Sequence, residues 1–227
     1  MGLRKVDILI KDLYLMEEKI PDGECELIGA LIGDGNIYTK SGKYQIGFTG
    51  HKIKDFEYFH FLKKLIKENW DKEVTVKIRE NGARIQFYSK PTVKRLTEKF
   101  KVPCNEGKCW KVVIPEMIAQ DWNLAKFAIR GIADSDGSVF TAKKPGSPNY
   151  PSVEITTTSI NLAEQIRRIL LSRGFRVANI WKYKSKLAVR DAYKVPLNGK
   201  ENLRKWMDEI GFSNPVKRDI AFKALGQ

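Results

Sequence analysis

The stretches LIGALIGDG, residues 27–35, and IRGIADSDG, residues 129–137, lie 102 residues apart and end in the same Asp-Gly. Setting Asp34 on Asp136 also sets Gly35 on Gly137, Gly29 on Gly131 and Gly33 on Ser135. Each copy reads as a largely apolar helix with two small residues four apart on one face and a carboxylate in its last turn. Small residues at that spacing let two helix backbones approach closely, so the copies are expected to pack along those faces. Their C-terminal ends then meet and bring Asp34 and Asp136 together. A single apolar helix ending in Asp-Gly would read as core helix with a glycine cap and an exposed acid. Two in register read differently, because a carboxylate sits badly at the negative end of a helix dipole unless something cationic compensates it. Two carboxylates at one point form a divalent-metal site, or a like-charge pair that one proton or cation must relieve.

Composition narrows the partner. A chain of 227 residues can bury a large core as one domain or two small ones. Its 41 basic residues against 27 acidic ones leave a net charge of +14, which attracts polyanions. No apolar run approaches the roughly 18 residues of a membrane span, and the start lacks a signal-peptide core, so nucleic acid is the favoured polyanion. Cys25, Cys104 and Cys109 are odd in number and scattered among only two histidines, His51 and His60. That pattern indicates neither a zinc site nor a disulfide framework, and fits a reducing, intracellular setting: cytoplasm, nucleoid or organelle.

Residues 1–21 read as an N-terminal arm or short amphipathic helix, punctuated by Pro21-Asp22-Gly23. A first repeat with its connector is expected over 22–121 and a second over 122–227. In the first, the motif helix is followed by strands near 36–40 and 43–49, a helix over 54–69, two more strands, and a helix from Lys90. In the second, strands near 138–143 and 151–158, a helix over 161–172, a strand pair and C-terminal helices keep the same order. The pattern is αββαββα twice, with an extended connector over 102–121.

The later strand pairs are the most legible. Val74, Val76 and Ile78 alternate with Glu73, Thr75, Lys77 and Arg79, and Asn81-Gly82 is a strong two-residue hairpin signal that would pair Glu80 with Ala83. Ala83, Ile85 and Phe87 then face inward, while Arg84, Gln86 and Tyr88 join Lys77 and Arg79 outside. In the second repeat Arg176, Lys182, Lys184, Lys186, Arg190 and Lys194 are all even-numbered, and Val177, Trp181, Tyr183, Leu187, Val189 and Tyr193 all odd. A three-residue turn over 184–186 would pair Tyr183 with Leu187 and keep the basic set outward. Each half thus offers a sheet with an apolar face on helices and a basic face outside. Such a face is either a solvated surface or a reader of the major groove, where Arg and Lys address guanine and Gln adenine; beside paired carboxylates, the second is favoured.

The paired motifs resemble those of the LAGLIDADG homing endonucleases in their single-chain form, over roughly Asp22 to Leu225. Two departures stand out: Ala30 precedes Leu31, and Arg130 occupies the position matching Ile28. A charge at Arg130 implies that this face meets solvent, an acidic partner or DNA. The resemblance implies an α+β fold of two pseudo-symmetric αββαββα repeats packed through their motif helices, with antiparallel sheets forming a DNA-binding saddle on a monomer. It implies pocket lysines at Lys108 and Lys217, and polar pocket residues at His51 and Lys52, with Thr157 and Thr158 as their counterparts. For each of these, a surface or cap role is the competing reading.

Hydrolysing a phosphodiester requires charge stabilisation at phosphorus, an activated water and help for the leaving oxygen, all of which carboxylate-held metal supplies. Mg²⁺ keeps several waters and needs few protein ligands, so Asp34, Asp136 and the main-chain carbonyls of Gly33 and Ser135 suffice. Mn²⁺ is an alternative, and Ca²⁺ is expected to bind without supporting cleavage. The expected function is site-specific double-strand cleavage of a long asymmetric DNA target. The absence of splice-junction residues at the chain ends favours a free-standing product of an intron reading frame over an intein. An RNA maturase acting on host intron RNA and a DNA-binding protein without cleavage activity are the alternatives; no protein partner is required.

Overall fold

The computed structural model describes residues 19–80, 82–105, 108–184 and 191–226, and of Lys108, Cys109 and Ser147 the backbone only. Most of the expected arm therefore lies outside the described residues. Helix α1 (Asp22–Ile32) starts on the Pro21 carbonyl, which accepts from the amides of Glu24 and Cys25, with Asp22 and Glu24 at the positive end of the dipole. Strands β1 (Gly35–Tyr38) and β2 (Gln45–Gly50), helix α2 (Phe56–Trp70), and strands β3 (Val76–Arg79) and β4 (Gly82–Tyr88) follow. Helix α3 (Lys90–Lys94), capped by Ser89, runs on through a π turn at Arg95–Lys99.

Two one-turn helices, α4 (Lys108–Lys111) and α5 (Glu116–Ala119), interrupt the connector that was expected to be extended. The second forms because Pro115 can start a helix but not continue one: its carbonyl accepts from the Ile118 and Ala119 amides, and Ile118 is buried. Helix α6 (Trp122–Asp136) opens the second half, with Asp121 accepting from the Asn123 amide. It is followed by β5 (Gly137–Lys144), β6 (Ser147–Thr157), α7 (Ile160–Ser172), β7 (Trp181–Tyr183), β8 (Ala192–Asn198), α8 (Lys200–Glu209) and α9 (Pro215–Leu225). The two sheets are antiparallel, ordered β1-β2-β4-β3 and β5-β6-β8-β7, with the apolar faces of α2 and α7 against them.

The motif helices α1 and α6 cross in direct backbone contact. A Cβ placed on Gly29 would lie 2.1 Å from the Ala128 carbonyl oxygen, and one on Gly131 2.2 Å from that of Glu26. Glycine is required there for proximity alone, since neither residue has positive φ. The same holds after the acids: Gly137 has φ −92°, and its Cβ would meet the Ala133 carbonyl at 2.4 Å. The glycines of the Asp-Gly pairs therefore serve close passage against the last helical turn, Gly35 against Leu31 and Gly137 against Ala133, instead of a left-handed cap. Arg130 finds the acidic partner its position required. It donates to the buried Glu26 across the helix pair and to the Ile210 carbonyl at 3.3 Å. Glu24, also buried, is clamped by Arg95 at 2.7 and 2.8 Å.

Two registers differ from those expected. The first hairpin pairs Arg79 with Gly82 and Ile78 with Ala83, a register shifted from the expected pairing of Glu80 with Ala83; residue 81 lies outside the described residues. Both registers pair odd with even, so every side chain keeps its face. In the second sheet the face does change. Trp181 pairs with Lys194, Lys182 with Tyr193, and Tyr183 with Ala192, across a longer connection than a three-residue turn. Opposed residues share a face, which puts Trp181 and Tyr183 outside with Lys194, and Lys182 on the side of Tyr193.

Candidate active site and nucleic-acid interface

The C-terminal ends of α1 and α6 meet between the two sheets. A Cβ on Gly33 would lie 2.1 Å from Ser135 Oγ and 3.3 Å from Asp136 Oδ2, so the two motif acids stand at one junction. Asp34 is exposed and Asp136 half-buried. The Asp34 carbonyl accepts from the Thr49 amide at 3.2 Å and its hydroxyl at 3.3 Å, which ties the end of α1 to β2.

The cation that the second helix end demanded is Lys217, carried on α9. Its ammonium donates to the carbonyls of Ala133, Asp134 and Ser135 at 2.8, 2.7 and 3.2 Å, so all three protons close the last turn of α6. Burial lowers the Lys217 pKa, against the opposing pull of Asp134, Asp55, Asp34 and Asp136, which places the ammonium in the field of both motif acids. The geometry makes it the cap of the helix that carries Asp136. The side chain of Lys108 lies outside the described residues; its backbone begins α4.

Asp134, two residues before Asp136, carries no role in the sequence reading. It is 1% exposed, its Oδ2 accepts from the Ser213 amide at 2.9 Å, and burial pushes its pKa up to about 7. Acids two apart on a helix point to different sides, so Asp134 turns to the flank of α6 away from its neighbour. Only a cue of that kind, an acid in an otherwise apolar run, could have flagged it.

A cleft flanks each acid. One is lined by Asp34, Thr49, Asp55, Tyr58, Asp134 and Ser135 among others, the other by Ile32, Gly33, Val112, Asp136, Thr156, Thr157 and Thr158. His51 does not point a free ring at the first. Its Nδ1 accepts from the amides of Ile53 and Lys54 at 3.1 and 3.2 Å, closing the turn into α2, and Lys52 beside it is exposed. Gly35 pairs with Phe48 as Gly137 pairs with Ile155, so the counterparts of Gly50 and His51 are Thr157 and Thr158. The expected matching of His51 and Lys52 to Thr157 and Thr158 was one residue out. Thr157 is buried and its hydroxyl accepts from the Ser159 amide; Thr158 is half-buried at the cleft.

On the first sheet Lys77, Arg79, Arg84, Gln86 and Tyr88 share the outer face with Gln45 and Thr49. Gln86 donates to Gln45 and to Tyr88, each at 3.0 Å, so the polar side chains are linked along the surface. On the second sheet only part of the expected basic set does so. Lys194 lies outside, 5.7 and 5.5 Å from the ring centres of Trp181 and Tyr183, and bonds Glu154 at 2.7 Å. Lys182 faces the other way and pairs with Asp191 at 2.9 Å, while Arg176 pairs with Glu201 in the first turn of α8 at 3.0 Å. Lys184 is exposed past the end of β7, and Lys186 and Arg190 lie outside the described residues. Trp181 and Tyr183, 61% and 43% exposed, are outer-face residues that their aromatic character disguised as core.

Among the described residues no cluster of three or more His, Cys, Asp or Glu side chains could hold a metal. The donors at the junction are two carboxylates and helix-end carbonyls, of which that of Ser135 already accepts from Lys217. Such a sparse oxygen set suits a hard cation that keeps water and takes phosphate oxygens, as Mg²⁺ does, and gives nothing that a thiophilic ion would prefer.

Residues 124–211 match the model of the LAGLIDADG-like domain. The chain is similar to part of the replication factor C small subunit of Thermococcus kodakarensis, 25% identical over 223 residues that cover 98% of this chain and 23% of the relative. It is also similar to part of the replicative DNA helicase DnaB of Synechocystis, 26% identical over 84% of this chain and 22% of the relative. The chain thus spans about a quarter or less of these curated relatives. Among solved structures it is similar to the homing endonuclease I-DmoI, with TM-score 0.60 at 15% identity over 84% of this chain and 95% of that one. I-DmoI in complex with DNA and Mn gives TM-score 0.59 at 16% identity, over 85% and 97%. Full-length DUF199/WhiA from Thermatoga maritima gives 0.55 at 16% identity, over 90% and 62%. At such identities the likeness is one of fold.

Proposed function

With the two-repeat LAGLIDADG fold and a LAGLIDADG-like domain in its second half as premise, we propose that this chain is a site-specific endonuclease. It makes a double-strand break in duplex DNA with divalent metal, Mg²⁺ being the physiological ion. The observation that carries the reading is the meeting of the two motif-helix ends, which puts one carboxylate from each half at a single junction between two polar sheet faces. The DNA complexes of I-DmoI support duplex DNA as the ligand.

In this mechanism the outer faces of the two sheets bind the duplex, one per half-site, through Lys77, Arg79, Arg84, Gln86 and Tyr88 on one side and Trp181, Tyr183 and Lys194 on the other. Lys and Arg contribute phosphate attraction, and the side chains between them reach base edges. The junction then lies under the backbones of both strands. A divalent ion held there by Asp34 and Asp136 would supply charge stabilisation and water activation. Lys217 keeps the end of α6 closed so that Asp136 stays in place, and Thr49 does the same for Asp34.

The test is cleavage of a target selected from a randomised duplex library in Mg²⁺, by wild type, Asp34→Asn, Asp136→Asn and the double variant. Wild type should cut both strands; each single change should abolish or cripple cutting and leave target binding intact or tighter, since a negative charge facing phosphate is gone. Full cutting by the double variant, or by wild type in chelator, ends the proposal. A DNA-binding protein of this fold that lacks cleavage activity would retain the target and leave it whole in Mg²⁺.

A further inference from the structure

The clefts beside the two acids differ at two pseudo-symmetric positions. Gly35–Phe48 corresponds to Gly137–Ile155 in the ladders, and Asp55 and Ser159 are the residues that precede α2 and α7. In that frame Tyr58 corresponds to Leu162, and Asp134 corresponds to Ile32. The cleft beside Asp34 therefore has a phenol from the first half and a carboxyl from the second, where the pseudo-symmetric positions beside Asp136 carry two aliphatic side chains. Tyr58 and Asp134 are 3% and 1% exposed, and they line the same cavity of about 10 Å³, together with Asp34, Thr49 and Ser135. Tyr58 Oη and Asp134 Oδ1 have no hydrogen-bond partner among the described residues.

Buried polar atoms without partners are rare in native proteins; the wall of this cavity is otherwise largely apolar (Ala30, Phe48, Phe59, Leu62), and its volume is about that of one water, for which the two orphaned atoms are the partners. A water placed there would accept from the Tyr58 hydroxyl, donate one proton to Asp134 Oδ1, and have a second to direct at Asp34. We propose that Tyr58, from the first half, and Asp134, from the second, hold a single structural water against Asp34, in the cleft beside that acid only. Through it they act as positioning residues for that motif carboxylate, so that the two DNA strands are cut at unequal rates. Leu162 and Ile32 leave the cleft beside Asp136 without the means to build the same site. The strand effect rests on the endonuclease reading; the water site does not.

The experiment pairs a crystal structure of the chain at solvent-resolving resolution with strand-resolved nicking rates in Mg²⁺, for wild type, Tyr58→Phe and Asp134→Asn. Thermal midpoint and target affinity are followed alongside. A water bonded to Tyr58 Oη and Asp134 Oδ1 in wild type, and lost in Tyr58→Phe, is the expected structural result. In Tyr58→Phe, cutting of one strand should slow by about tenfold, as for the loss of one good hydrogen bond, with the other strand, affinity and midpoint unchanged. A dry cavity, a direct Tyr58–Asp134 bond, or equal slowing of both strands overturns the proposal. Wild type that cuts neither strand overturns the endonuclease reading and the strand effect with it, and the water at Tyr58 still decides the buried site.

Discussion

At the end of α6 the Lys217 ammonium closes three carbonyls and Asp134 folds back on the Ser213 amide. At the end of α1 the chain leaves through Gly33 and Asp34 straight into β1, held by Thr49. The two helices share their apolar faces and their terminal acid, because the crossing tolerates little else. The surroundings of each acid come from different segments and have diverged. Pseudo-symmetry in this protein is thus a property of backbone contact, and the polar chemistry on either side of it is asymmetric.

The crossing itself can be broken most severely. Gly131→Leu drives a side chain into backbone at the Glu26 carbonyl, and should cost more than the roughly 3 kcal/mol of ordinary overpacking, seen as loss of a cooperative urea transition. Gly33→Ala, which meets the Ser135 side chain instead of backbone, should cost clearly less. Next comes pH. Asp134 has its folded pKa raised from 3.8 to about 7 by burial, with Glu26 adding to the rise and Lys217 opposing it. A raised carboxyl stabilises fully below pH 4, and that contribution fades as pH rises through 7. Between pH 4 and 8, metal-free wild type should therefore lose up to about 4 kcal/mol relative to Asp134→Asn, measured by urea midpoints.

Lys217→Met should cost about 3 kcal/mol by stranding the α6 carbonyls, and should release Asp136 more than Asp34. If strand-resolved nicking falls equally on both sides, the two helix ends are not independent. The sheets separate next. Arg84→Ala, on the outer face, should cost about 1–3 kcal/mol at one base pair in a binding selection, whereas Lys182→Ala, on the opposite face, should leave preference unchanged. The smallest effect is that of Arg176→Ala. Its partner Glu201 is exposed, so stability should move by less than about 1 kcal/mol and target preference should not move.

The same contrast explains what was legible in the chain. Faces of the first hairpin could be read despite a shifted register, because β4 alternates over seven residues and a slip that preserves odd–even pairing preserves every face. The second hairpin could not. Strand β7 is three residues long with all three exposed, so no buried face marks its register, and Trp181 and Tyr183 look apolar wherever they sit. His51 was placed near the first cleft by its position after β2, but its ring is spent on local amides, an interaction between neighbours that no motif records. Arg130 was the opposite case: a charge in an apolar helix forces a partner, and only the identity of Glu26 awaited the fold.

What the residues alone determined is the crossing of α1 and α6 and the convergence of Asp34 and Asp136. Backbone contact at 2.1 and 2.2 Å from a missing Cβ admits glycine and nothing larger, and residue size is written in the chain. What the tertiary structure decided is the company each acid keeps: Thr49 and Tyr58 on one side, and on the other Lys217, a cap drawn from 81 residues farther along. Hydrogen bonds and charges act over a few ångströms in space and carry no preferred separation along the chain. Which polar groups meet at the junction was therefore settled only when the helices and sheets had packed.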